Sequence, residues 1–177
     1  MTVDKVRRFL WRVPIRGRVA FTLALAAEAV DVLPKDSYEH SLAGEAVDLA
    51  WRFSEGRQTT ASELNTAFNT VLDLKVNAAG DMKRALSVLA TALGYVTWEA
   101  FGIDLAVGSV HAQDIPDDMA RINEEWVERV YEGVESLLGN NLLTTLGDRL
   151  IRHIARRTVG CSADNVGPGL GREIVEE

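Results

Sequence analysis

An all-α fold follows from three observations on the 177 residues. Apolar side chains recur at helical spacing through most of the chain, helix start and stop residues bracket those stretches, and strand signals are missing. There is no β-branched alternation, no Asn-Gly hairpin pair and no repeat of fixed period. The length suits one domain whose core needs no disulfide or metal. The expectation is a single-domain bundle of five to six helices over 16–157, with a basic N-terminal segment at 1–15 and a flexible Gly-rich tail at 158–177.

The first expected helix starts at Pro14, which suits a first helical position, and runs through Val19, Leu23, Ala27 and Val30 to Leu33, where Pro34 ends it. It is apolar on nearly all sides, which marks it as the central helix. Basic residues ahead of this apolar run also resemble the start of a signal peptide. The run stops at Glu28, too short to span a bilayer, so it reads as a buried helix with export as the alternative.

Asp36 or Ser37 can cap the second helix, whose stripe is Leu42, Ala46, Leu49 and Phe53 and whose stop is Gly56. Thr60 and Glu63 form a capping box opening a third, with Leu64, Phe68, Val71 and Leu72 on its apolar side. A fourth starts at Gly80 or Asp81 and continues to about Phe101. Met82, Leu86, Leu89, Leu93, Val96 and Ala100 share one side of it, and Tyr95, Trp98 and Phe101 the other. A helix apolar on two sides is either central or displays one side to a partner. Trp51 lies opposite Leu42 and Leu49 in the same way, which favours burial for both aromatic patches. The segment 102–116 has no clean period. The stretch 117–138 reads as an amphipathic helix with Met119, Ile122, Trp126, Val130, Val134 and Leu137 on one side, and 141–157 as a last helix carrying Leu142, Leu146, Leu150 and Ile154.

Charge is unevenly distributed. Residues 1–18 hold six basic side chains against Asp4, and 148–157 hold four against Asp148. The middle, 19–147, holds eight basic and twenty acidic side chains. Acidic middle and basic ends can attract one another in the fold. The acidity argues against free nucleic acid as the main ligand and for a basic protein.

Chemistry-bearing motifs are scarce. His40, His111 and His153 have no partner at metal spacing, and no Glu-x-x-His pair is present; each histidine reads as a surface or capping residue. No nucleophile elbow or phosphate-binding loop occurs. The glycines at 167, 169 and 171 follow no strand, so they form no dinucleotide loop. Cys161, the single cysteine, allows no internal disulfide and suits a reducing, cytoplasmic compartment. No enzyme activity, cofactor, metal or membrane partner is expected. The sharpest polar feature is a row of carboxylates on the expected 117–138 helix: Asp117, Asp118, Glu124, Glu125, Glu128, Glu132 and Glu135. Such a band is either a solvated outer face or an electrostatic docking face for a basic partner.

Three stretches come in order: Arg18 and Phe21 within the apolar run ending at Glu28; Ala46-Val47-Asp48-Leu49-Ala50-Trp51, closing at Glu55-Gly56; and Gly94-Tyr95-Val96-Thr97-Trp98-Glu99-Ala100-Phe101. Together, over about 16–135, they resemble the all-helical immunity proteins of bacterial polymorphic toxin systems, the class numbered six in that catalogue. The resemblance implies a non-enzymatic cytoplasmic protein, encoded beside a secreted toxin, that neutralises that toxin by stoichiometric binding. The partner would be a toxin domain with a basic surface, such as a nuclease. The family hands over no fixed contact residue, so the expected toxin-binding surface rests on the seven carboxylates, with 102–116 next. The alternative is a helical regulatory or ligand-binding module using the Arg-rich ends on nucleic acid or lipid.

Overall fold

The chain is all-helical in a computed structural model that describes residues 3–163 and 165–176; no strand is present among the described residues. The helices are α1 (Val3–Leu10), α2 (Ile15–Val30), α3 (Tyr38–Ser54), α4 (Ala61–Asn77), α5 (Gly80–Ala106), α6 (Glu125–Leu138), α7 (Asn140–Arg157) and a single turn α8 (Glu173–Glu176). Short 3-10 turns at Ala112–Asp114 and Asp117–Arg121 join α5 to α6.

α2 and α5 form the centre. On α2 the run from Val19 to Ala26 is buried on every side, as an all-round apolar sequence requires. α5 packs on α4, α6 and α2, and Tyr95, Phe101, Leu86, Leu89, Leu93 and Val96 are all buried. Both apolar sides of α5 therefore face protein. By length and composition α5 could also cross a membrane, but 72% of its most apolar window lies inside the fold. Trp51 is buried and Trp98 half-buried; the Tyr95 and Trp98 rings sit 5.9 Å apart.

Local signals place several boundaries. The Ser37 hydroxyl caps α3 by accepting from the His40 N–H, and Thr60 and Glu63 close the capping box of α4. Gly56 (φ 77°) follows the end of α3 in the left-handed region. The buried side of α3 is wider than the expected stripe: Ala46 and Phe53 are buried as expected and Ala43, Val47, Ala50 and Trp51 join them, while Leu42 and Leu49 are half-buried toward α4. Leu42 and Leu49 line an open groove between α3 and α4.

Four expectations change. The basic segment 1–15 is no separate unit: it forms α1, and Val6, Leu10 and Val13 enter the same core. α5 runs a further turn, to Ala106. The stretch 117–138 is not one helix. Pro116 opens a 3-10 turn, then Ile122 takes extended dihedrals (φ −91°, ψ 140°) that bury its side chain, and α6 begins afterwards. The Gly-rich segment from 158 is docked rather than free. Leu170 and Ile174 are buried, the Leu170 N–H donates to the Ser54 carbonyl at 3.0 Å, and the Ser54 hydroxyl donates to the Leu170 carbonyl at 2.8 Å. On α7, Leu146, Leu150 and Ile154 are buried as expected, whereas the Leu142 side chain lies outside the described residues.

Candidate partner-binding cleft

The carboxylates gather where α6 begins. Glu124 is its N-cap position and Glu125 and Glu128 stand in its first turn, where the positive end of the helix dipole favours negative charge. Asn123 steadies the start, its side-chain oxygen accepting from the Glu125 N–H at 3.1 Å. Facing them across a cleft of about 650 Å3 are Arg7 and Trp11 from the α1 segment and Ile15 and Arg18 from α2.

Two arginines set the electrostatics of this cleft. Arg7 forks onto Glu128, with Nε to Oε1 and Nη2 to Oε2 both at 2.6 Å. That hydrogen bonding and charge hold the Glu128 carboxyl below the usual glutamate range. Arg18 lies deeper. Its Nε donates to the Tyr95 hydroxyl at 3.1 Å and to Glu99 Oε1 at 3.2 Å, and its Nη1 donates to the carbonyls of Val13 at 3.3 Å and Ala163 at 3.2 Å. The Tyr95 hydroxyl in turn donates to Glu99. Burial raises the Glu99 pKa against the pull of Arg18 and Tyr95, and raises Tyr95 further, reinforced by the Glu99 charge. This network fastens α2, α5 and the segment after α7 at one point.

The cleft is chemically suited to recognition by charge. Arg18 is taken up by Tyr95, Glu99 and two carbonyls and Glu128 by Arg7, so Glu124 and Glu125 are the carboxylates the cleft presents, beside the exposed Trp11. Among the described residues no three His, Cys, Asp or Glu side chains gather as metal ligands. His40 is half-buried and His111 exposed, while His153 is buried on α7 rather than at the surface.

Of the seven carboxylates expected to act together, Glu124, Glu125 and Glu128 line this cleft. Glu132 is exposed farther along α6 and Glu135 is half-buried there. Asp117 and Asp118 are exposed on the separate 3-10 turn, so they do not share the α6 face. Arg7, Trp11, Arg18 and Glu99 were absent from the sequence-based site. One local signal pointed to Glu99: it is a carboxylate four residues after Tyr95, inside an otherwise apolar stretch of helix. No family model, curated protein or solved structure matches the chain.

Proposed function

We propose that this protein is a cytoplasmic immunity protein that neutralises a cognate secreted bacterial toxin by stoichiometric binding, without a catalytic step of its own. The observation that carries the reading is the acid-rimmed cleft at the start of α6, where Glu124 and Glu125 are exposed at the N-terminal end of the helix opposite Trp11. Exposed carboxylates beside an exposed indole suit a basic protein surface, with charge steering the encounter and the aromatic ring supplying contact area. The order of the Arg18, Trp51 and Tyr95-to-Phe101 stretches supports the same assignment by resemblance.

Co-expression with the neighbouring toxin gene tests the proposal. Cells should survive, and the two products should purify as a complex; no rescue together with no complex would remove the reading. Within that complex, Glu124→Lys with Glu125→Lys should lower the association rate by about tenfold at low salt, measured by stopped flow. The substitution leaves Glu128 in place because that side chain is already engaged by Arg7.

A further inference from the structure

The cleft at the start of α6 leaves a specific set of groups without work inside the fold. Glu128 is held by Arg7, and Arg18 by Tyr95, Glu99 and two carbonyls. The carboxylates of Glu124 and Glu125 have no hydrogen bond or ion pair among the described residues. The Trp11 ring, 67% exposed, has no aromatic or cationic neighbour there either. Leu10, Ile15 and Val127 supply an apolar wall in the same cleft. Glu124 already has helical dihedrals (φ −60°, ψ −24°), so it and Glu125 point about 100° apart around the helix axis. Both nevertheless border the cleft.

We propose that this cleft seats an arginine side chain of the protein partner, with its guanidinium against the Trp11 ring and between the Glu124 and Glu125 carboxylates. The inference rests on the cleft being the partner-binding surface, and it names the group that surface takes. A guanidinium spreads five N–H donors in a plane and so reaches two diverging carboxylates at once. An ammonium is a compact point charge. The guanidinium also stacks flat on an indole and is the more weakly hydrated of the two, so it gives up less on entering. Its methylene stem suits the apolar wall. A pair of this kind already stands on α6, where the Arg129 guanidinium carbon lies 5.9 Å from the centre of the Trp126 ring. The two arginines of the cleft do not bar a third. Each is matched by a carboxylate of its own, which leaves Glu124 and Glu125 as a surplus of negative charge. The concave shape, about 650 Å3, suits a projecting side chain rather than a flat patch.

A nuclear magnetic resonance titration of the full chain tests this, following the Trp11 indole N–H and the backbone amides of Glu124 and Glu125. The probes are the peptide acetyl-Gly-Arg-Gly-amide, its lysine counterpart and free arginine. The arginine peptide should shift these signals and bind about two- to fivefold more tightly than the lysine peptide. Trp11→Ala should remove that preference, and Glu124→Gln with Glu125→Gln should lose binding of both peptides. Trp11→Leu, which keeps an apolar contact, takes the place of Trp11→Ala if the latter lacks the wild-type helical circular dichroism. The proposal is overturned by absence of shifts, by shifts confined to other residues, by equal affinity for the two peptides, or by folded variants that keep the preference. Tighter binding of free arginine than of the peptide would mark a metabolite site and overturn it too. An arginine preference without rescue from the toxin removes the immunity reading and leaves the arginine site standing. Rescue and a complex, combined with any of the overturning results, removes this inference alone.

Discussion

Glu99 carries a carboxyl where only 5% of the residue reaches solvent, and its partner Arg18 approaches from another helix. Removing one member of a buried ion pair leaves the other charge stranded, so Glu99→Ala should destabilise the fold by about 3 kcal/mol in urea melts. The pH dependence has a definite sign. Because burial raises the folded pKa of Glu99, its contribution is complete below the ordinary glutamate value and declines as pH rises through the folded value. The stability advantage of wild type over Glu99→Gln should therefore be largest in acid and shrink toward neutral pH. Glu128 should behave oppositely, since its pKa is lowered by Arg7. Its contribution is present above the ordinary glutamate value and is lost as pH falls through the depressed one. Denaturant midpoints of Glu99→Gln and Glu128→Gln across pH separate the two. At this scale the sequence shows less than the fold uses. Arg18 and Glu99 are 81 residues apart, and no local spacing pairs them. The general attraction of basic ends for the acidic middle was visible in the charge count, and Arg7 with Glu128 and Arg18 with Glu99 realise it.

Between elements, the crossing of α5 and α6 depends on two residues without side chains. A Cβ on Gly94 would meet the Trp126 ring at 2.8 Å, and one on Gly133 would meet a Val88 methyl at 2.6 Å. Gly94→Ala should cost about 1–3 kcal/mol by overpacking, despite the higher helix propensity of alanine. Thermal or denaturant melts would show it, and a stabilised variant would refute the close crossing. Gly94 gave no hint of this role in the sequence, because the need comes from a ring on another helix. The α4 capping box was legible because both partners lie within one turn. The break before α6 was not. Met119 and Ile122 keep the helical apolar spacing and are both buried, yet they reach the core from a 3-10 turn and an extended residue. Periodicity reports which side chains face inward, and two backbone paths satisfied the same requirement here. For the acidic row that difference matters: it separates Asp117 and Asp118 from the carboxylates lining the cleft.

Over the whole molecule, the fold class was written in the periodicity, while the two ends were misjudged for compositional reasons. Arginines at 7, 8 and 12 obscured the inward row of Val6, Leu10 and Val13, and the glycines after 158 hid two isolated anchors, Leu170 and Ile174. Isolated apolar residues make no periodic signal; their burial depends on a site built by distant helices. Leu170→Ala should destabilise the entire bundle by about 3 kcal/mol, seen as a shift of a single cooperative urea transition. Release of the C-terminal segment alone, with an unchanged main transition, would show that the segment is an accessory. The same packing places the acidic cleft and a basic groove lined by Lys5, Arg8 and Arg12 on opposite sides of α1.

The first turn of α2 has a further dependence. Pro14 provides no side-chain cap there. The N–H groups of Ile15 and Arg16 instead donate to the carbonyls of Asn165 and Val166, at 3.0 and 2.9 Å. During synthesis those carbonyls leave the ribosome long after the helix they serve, so the central helix must wait with its end open while α3 to α7 are made. The native corner closes only when residue 166 has cleared the exit tunnel. A chain interrupted before that point would have nearly every helix and lack the partners that complete the central one.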